Sequence, residues 1–187
     1  LIASKHQGEP FIRRAVNANF RLGDPLSAER LATYAVNANN PLPLRLDALE
    51  ALTLWVDLPE IDRIEGRYRE LAKHDLKGAA KRVESKLPPL LAAKESRIRE
   101  MAMRVATTLQ INLDPEILLT VVTGDGNAPP LRLEALNALK KQGSPQLRAA
   151  VEAGLVSSST DLRVRSLRLL AGLDPKNAIQ QAGAILG

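Results

Sequence analysis

The stretches LRLDALEAL at residues 44–52 and LRLEALNAL at 131–139 decide the fold of this 187-residue chain. Positions 1, 5, 6 and 9 of each stretch are apolar and fall on one face of an α-helix. Three further blocks follow the pattern less closely: IRRAVNANF at 12–20, which fits worst because it carries Asn17 and Asn19, IREMAMRVA at 98–106, and LRVRSLRLL at 162–170, which has Ser166 at position 5. The pattern predicts five helices that each pack one apolar face inward.

An arginine occupies the second position of every block. These residues are spaced by 32, 54, 33 and 31 positions and are Arg13, Arg45, Arg99, Arg132 and Arg163. A period in the low thirties, interrupted once, is typical of stacked repeats. We expect repeat-stacking arginines that lay their methylenes along the next repeat, keep the guanidinium wet, and pair with a neighbouring acid. The alternative is a basic ladder that binds phosphates along a groove.

Between the blocks, the sequence predicts the first helix of each pair. Asp24, Asp114, Ser144 and Asp174 each precede a proline, which combines a capping side chain with a residue suited to the first helical position. The predicted first helices cover about 26–38, 76–87, 115–123, 145–156 and 175–186. We therefore predict an all-α fold, a right-handed α-α superhelix of about five helix pairs, in a single domain over residues 1–187.

Composition excludes several classes of function. The net charge of +5 comes from 26 basic and 21 acidic residues, a mild bias that disfavours a dedicated nucleic-acid-binding domain. The chain has no cysteine, so thiolate metal sites, disulfides and cysteine nucleophiles are excluded. It contains no Walker A, GxGxxG, HExxH or GxSxG motif and no apolar run long enough to span a membrane. We expect no catalytic residue, cofactor or metal, and we interpret His6 and His74 as isolated surface histidines.

One segment breaks the period, WVDLPEIDRIEGRYRELAKHD at 55–75. Pro59 and Gly66 interrupt any helical pattern, so we expect a loop insertion with at most one helical turn, projecting from one edge of the stack. Trp55 would cap the core with its indole N–H on a loop carbonyl, or alternatively be an exposed anchor for a partner. The candidate partner-binding residues are Trp55, Asp62, Arg63, Arg67, Tyr68 and Arg69.

The blocks resemble the second helix of HEAT repeats in the armadillo-like class. That helix commonly runs aliphatic, Arg, two variable, Ala, aliphatic, two variable, Leu. The blocks at 44–52 and 131–139 match it throughout, whereas Ala106 stands for the last Leu in the third block and Ser166 for the Ala in the fifth. The resemblance covers nearly the whole chain and implies an α-solenoid that acts as a protein-binding scaffold.

The insertion carries a narrower resemblance. Trp55, Asp62-Arg63, Gly66 and Arg69 are similar to a segment in the HEAT region of PVC-type heme-binding, membrane-bound-dehydrogenase-like (sorbosone-dehydrogenase-like) bacterial proteins. That segment reads Trp, a proline-containing spacer, Asp-Arg, two variable, Gly, one variable, Trp-Arg-Pro-Leu. Here Tyr68 replaces the second Trp and Glu70 replaces the Pro, while Leu71 fits. The resemblance implies a piece of a larger periplasmic or extracytoplasmic protein, with its redox chemistry in other parts.

These observations favour a non-catalytic scaffold or interaction module, whose partner is a protein or a neighbouring domain of the same chain. The alternative is a nucleic-acid-binding HEAT-like protein with a basic concave groove, including a helical-repeat DNA glycosylase. It requires the five arginines to line one groove with free guanidiniums. A third hypothesis, an enzyme in its own right, has no motif to support it.

Overall fold

The computed structural model of the chain describes residues 8–62, 64–68 and 70–186, with side chains to residue 183. The described part is helical. Its contacts divide it into two compact units, Leu1–Asn112 and Leu113–Gly187. Unit 1 contains α1 (Glu9–Leu22), α2 (Pro25–Val36), α3 (Leu42–Thr53), α4 (Leu76–Val83), a 3-10 turn (Glu84–Lys86), α5 (Leu87–Leu91) and α6 (Ser96–Thr108). Unit 2 contains α7 (Pro115–Thr123), α8 (Pro129–Lys141), α9 (Leu147–Leu155), α10 (Thr160–Leu173) and α11 (Pro175–Leu186).

The five predicted blocks lie in α1, α3, α6, α8 and α10, which confirms their helical assignment. The two defining blocks also bury the predicted positions. Exposure does not exceed 3% at positions 1, 5, 6 and 9 of these blocks, which are Leu44, Ala48, Leu49, Leu52, Leu131, Ala135, Leu136 and Leu139. The apolar period therefore marks the core-facing side of each helix.

Helices within each unit pack in two rows. In unit 1, α3 lies between α1 and α6, while α2 packs on both α3 and α4. In unit 2, α8 contacts α10 in one row and α7 contacts α9 in the other. The all-helical prediction is confirmed, and each unit buries its apolar faces helix against helix.

Two predicted helix boundaries were wrong. The helix expected over 76–87 stops at Val83, because Pro88 and Pro89 have no N–H to donate to the carbonyls four residues earlier. A 3-10 turn at Glu84–Lys86 bridges this break. The predicted start at Ser144-Pro145 lies instead in a turn before α9, where Ser144 Oγ accepts from the Gln146 amide at 3.1 Å.

The caps at Asp24, Asp114 and Asp174 were predicted correctly. Their carboxylates accept from the backbone amides of Ser27 at 2.8 Å, Glu116 at 2.8 Å and Asn177 at 3.2 Å. Each bond pairs one of the helix N–H groups that has no partner inside the helix.

Candidate functional site

Two of the repeated arginines are buried under the preceding helix. Arg45 is 2% exposed and donates from Nε to the carbonyl oxygen of Ala35 at 2.8 Å. Arg132 is 6% exposed and donates from Nε to the carbonyl oxygen of Val122 at 2.7 Å. The expectation of wet guanidiniums was therefore wrong for both. Each arginine caps the carbonyl end of the helix before its own, where helical hydrogen bonds run out.

An asparagine five residues earlier assists each of these arginines. Asn40 Nδ2 donates to the carbonyl oxygen of Tyr34 at 2.8 Å, and Asn127 Nδ2 donates to that of Val121 at 2.9 Å. Asn40 and Arg45 thus bond two consecutive carbonyl oxygens at the end of α2. Asn127 and Arg132 do the same at the end of α7. The shared signal is Asn-x-x-Pro-Leu-Arg at 40–45 and 127–132, a common entry to both helices that is recognisable in the sequence, although the contacts of its asparagine are not.

Arg99 and Arg163 bond to the turn just before their own helices. Arg99 Nη1 lies 2.7 Å and 2.8 Å from the carbonyl oxygens of Ala93 and Lys94. Arg163 Nη1 lies 2.8 Å and 3.0 Å from those of Ser157 and Ser158. These two arginines close the turn that joins the helices of a pair.

Acidic partners complete the arrangement, and two of them come from another helix pair. Arg13 on α1 pairs with Asp47 on α3, and Arg45 Nη1 lies 3.1 Å from Glu95 Oε1 just before α6. Arg132 instead reaches Asp125 in the adjacent loop at 3.6 Å. Together with the carbonyl bonds, every one of the five arginines is bonded to the protein. A phosphate ladder would need these groups to be free.

The insertion begins at a buried aromatic cluster, formed by Phe20, Trp55 and His74. Ring centroids lie 4.5 Å apart for Trp55 and His74, 5.0 Å for Phe20 and His74, and 6.2 Å for Phe20 and Trp55. Trp55 is 1% exposed, and its indole N–H donates to the Asp75 carbonyl oxygen at 3.4 Å. The core-capping interpretation of Trp55 is confirmed, and its candidacy as an exposed partner anchor was wrong.

His74 is likewise not the surface histidine expected, since only 6% of it is exposed. Its ring packs on Gly23, which ends α1 in the left-handed conformation with φ 65°. A Cβ at Gly23 would lie 2.2 Å from His74 Cδ2. Next to it, the Asp75 amide donates to the Gly23 carbonyl oxygen at 3.0 Å. The returning end of the insertion is thus fastened to the turn between α1 and α2.

Asp62 fastens the middle of the insertion to α1. Its side chain is 1% exposed and accepts from Asn17 Nδ2 at 3.1 Å and Arg21 Nη1 at 3.2 Å. It also accepts from the amides of Ile64 at 2.9 Å and Glu65 at 2.8 Å. Burial acts to raise the pKa of the Asp62 carboxyl, but the Glu65 amide, Asn17, the Ile64 amide and Arg21 together outweigh it and lower the pKa to about 2. Asp62 is therefore an internal fastener with no free face for a partner.

The tip of the insertion faces solvent. An isolated antiparallel bridge joins Ile61 to Tyr68, and the Asp62 amide donates to the Arg67 carbonyl oxygen at 2.8 Å. The loop turns outward three apolar side chains, Ile61 at 58%, Ile64 at 43% and Tyr68 at 72% exposure. Arg67 is also exposed. These four residues are called the insertion tip below.

The remaining candidates, Arg63 and Arg69, lie outside the described residues. The expected projecting loop was thus partly wrong, because Trp55, Asp62 and His74 fold inward while the insertion tip is exposed. The tip could be anticipated from the break in period, whereas the contacts that fasten it join residues 41 to 45 positions apart.

A small space under the insertion offers no ligand cavity. It is lined by Asn17, Phe20, Pro59, Asp62 and Leu71 among others and measures about 10 Å³, room for about one water molecule. Among residues 8–62, 64–68 and 70–186, no three His, Asp or Glu side chains group as metal ligands. The helices described are also too short or too polar to cross a membrane.

Comparison of the chain with protein-family models, curated proteins and solved structures gives no match in any of the three.

Proposed function

We propose that the protein is a non-catalytic helical-repeat scaffold that presents the insertion tip to a protein partner. The partner is another protein or a neighbouring domain of the same chain. The proposal includes a right-handed, HEAT-like solenoid of about five helix pairs. It also includes a place in a larger extracytoplasmic, heme-binding dehydrogenase-like protein. The two-row packing inside each unit supports the first, and the residues shared around Trp55 and Gly66 support the second.

One observation carries the proposal. The Asp62 carboxylate accepts from Asn17, Arg21 and two loop amides, so the loop is attached to α1 while Ile61, Ile64 and Tyr68 are exposed. Exposed apolar groups gain nothing in an isolated molecule, but they gain free energy when a partner covers them. A loop already ordered before binding loses less entropy on association.

The residue types at the insertion tip suit a binding surface. Tyrosine and arginine are enriched among the residues that dominate interface free energies. Here Tyr68 and Arg67 are adjacent and both exposed, with Ile61 joined to Tyr68 across the bridge. Together they form a compact apolar knob with one cation.

The arginines support the scaffold over the nucleic-acid groove. The groove needs guanidiniums that can reach phosphate, whereas Arg45 and Arg132 are buried and bonded to helix-end carbonyls. A titration of binding to a short DNA duplex against salt separates the two. We expect no binding even at low salt. Tight binding with affinity that falls steeply as salt rises would favour the groove instead.

The docking role is tested with a triple variant of the insertion tip and a double control variant. Ile61→Ser, Ile64→Ser and Tyr68→Ser together remove the apolar tip, while Val156→Ser and Ile179→Ser alter residues of comparable exposure elsewhere. A partner is first captured from the source cells, purified and titrated against each variant. We expect at least tenfold weaker binding, about 1.4 kcal/mol, for the tip variant only. Equal affinity for both variants would exclude the insertion tip as the docking surface.

A further inference from the structure

His74 occupies an unusual environment for an ionisable group. Neither ring nitrogen has a hydrogen-bond partner among the described residues, and both nitrogens are buried. The ring lies against Trp55 and Phe20, with centroids 4.5 Å and 5.0 Å away. An imidazolium has two N–H donors, and here neither donor would find an acceptor. The closed cluster therefore accommodates the neutral ring and excludes the charged one.

Charged groups on the surrounding elements do not compensate a proton on His74. The nearest along the chain are Arg21 at the end of α1, Asp24 before α2, Asp57 after Trp55, and Lys73 and Asp75 beside the histidine. Arg21 is engaged by Asp62, Asp24 by Ser27, and the Asp75 carboxylate by the Gly78 amide. Asp57 and Lys73 are exposed. Burial is the sole cause that lowers the pKa of His74, with no opposing charge.

The same cluster holds both ends of the insertion. Trp55 leads into it and His74 leads out of it, and the Asp75 carbonyl oxygen accepts from the Trp55 indole. The Asp75 amide is bonded to Gly23 in turn. A proton can be accommodated only when the His74 ring leaves the cluster. Both bonds belong to Asp75, the residue next to His74, so they are the contacts that such a movement would disturb first.

We propose that His74 is a pH-operated latch, whose protonation opens the Phe20–Trp55–His74 cluster and loosens the insertion. The latch itself is a property of this chain alone; its role as a regulator of docking rests on the proposed function. The pKa of His74 is lowered in the closed state, so the neutral ring stabilises the closed cluster fully at pH values above the pKa of the open state, about 6.5. It is lost as pH falls from there through the closed-state pKa. Between these two values the open fraction rises about tenfold per pH unit.

Trp55 provides a direct readout, since it is the only tryptophan in the chain. Its fluorescence in the full chain is followed from pH 8 downward, and hydrogen exchange at the Asp75 amide gives the opening constant after correction for the chemical exchange rate. We expect fluorescence to change with a midpoint below about pH 6.5, and the opening constant to rise about tenfold per pH unit in that range.

The two histidines supply matched controls. His74→Phe and His74→Gln both remove the titrating group, the first with an apolar side chain and the second with a polar one. If only one of the two variants folds, that variant is sufficient for the control. We expect both transitions to disappear in these variants and to persist in His6→Gln.

Three outcomes would overturn the latch. The transitions could persist without His74, or they could vanish in His6→Gln. The third outcome is a midpoint above about pH 6.5, which would mean that the Trp55 face stabilises the charged ring. None of these measurements uses a partner. Failure of the latch would leave the docking proposal untouched, and loss of docking would leave the latch standing.

Discussion

Replacing Arg45 with methionine tests the structural role of the repeated arginines. Methionine keeps most of the aliphatic stem but removes the guanidinium, so the Ala35 carbonyl loses its 2.8 Å partner and Glu95 loses its 3.1 Å partner. A buried hydrogen bond from a charged donor is worth about 1.5–3 kcal/mol. The Glu95 side chain is 36% exposed, so solvent screens its ion pair and the carbonyl bond dominates. We expect Arg45→Met to lower the free energy of unfolding by about 2–3 kcal/mol, the upper part of that range.

The assay is urea unfolding followed by far-UV circular dichroism and by Trp55 fluorescence, which reports on unit 1. Arg132→Met gives a graded comparison, because its carbonyl bond is equivalent but its acid, Asp125, is 99% exposed at 3.6 Å. We expect a loss of about 1.5–3 kcal/mol there. Arg104→Met, which alters an exposed arginine of α6, is the control and should stay within about 0.5 kcal/mol of the wild type.

A phosphate-binding role makes the opposite prediction. Arginines held near one another for a ligand repel each other in its absence, so their removal would leave stability unchanged or raise it. If Arg45→Met unfolds within about 0.5 kcal/mol of the wild type, the helix-end role is refuted.

The other predictions concern the contacts that hold the insertion. Gly23→Ala should lower the free energy of unfolding by about 3 kcal/mol or more, because the strain of the left-handed φ of 65° adds to the 2.2 Å approach to His74. In a His74→Ala background, urea unfolding should show only the backbone strain, a loss of about 1–2 kcal/mol. The folded-state pKa of Asp62 is depressed, so ionised Asp62 should add about 2 kcal/mol to the free energy of unfolding above about pH 4. That contribution should be lost as pH falls towards 2. In Asp62→Asn, the free energy of unfolding should no longer depend on pH through this carboxyl. Asn40→Ala should destabilise unit 1 by about 1 kcal/mol in the same urea assay, and a neutral result would mean that water replaces its bond to Tyr34.

The helices could be predicted from the sequence because their determinants are local. The apolar period identified the helix and its buried face at Leu44–Leu52 and Leu131–Leu139, and the Asp-Pro caps placed the starts of α2, α7 and α11. The break at Glu84–Lys86 was missed, although its cause, Pro88-Pro89, is equally local. The apolar period continues across this break, but the helical hydrogen bonds do not, because the two prolines have no N–H.

The insertion could not be predicted in the same way, because its structure depends on long-range contacts. Nothing near His74 in the sequence indicates that its ring packs on Gly23 and Phe20, more than fifty residues earlier. Asp62 looked like one carboxylate in a charged stretch, yet two donors from α1 make it an internal fastener. Trp55 left two interpretations open, and only the packing around it decides between them.

The repeated arginines show a third case. Their recurrence predicts a structural role, and the expected acid from another helix pair is found for Arg13 and Arg45. Arg45 and Arg132 also bond to carbonyl oxygens, which every residue supplies, so the arginine alone does not indicate which carbonyl accepts. The accompanying Asn-x-x-Pro-Leu-Arg pattern is the detectable trace of this arrangement.

The measurement that tests the docking account most directly is site-specific photo-crosslinking from the insertion tip. A photoreactive phenylalanine analogue replaces Tyr68, which is 72% exposed, or Val156, which is 85% exposed and lies far along the chain. Each variant is irradiated with the purified partner. We predict a specific crosslinked product from position 68 that is absent from position 156 and disappears when unmodified protein competes. Equal crosslinking from both positions, or none from position 68 while the partner remains bound, would contradict the account.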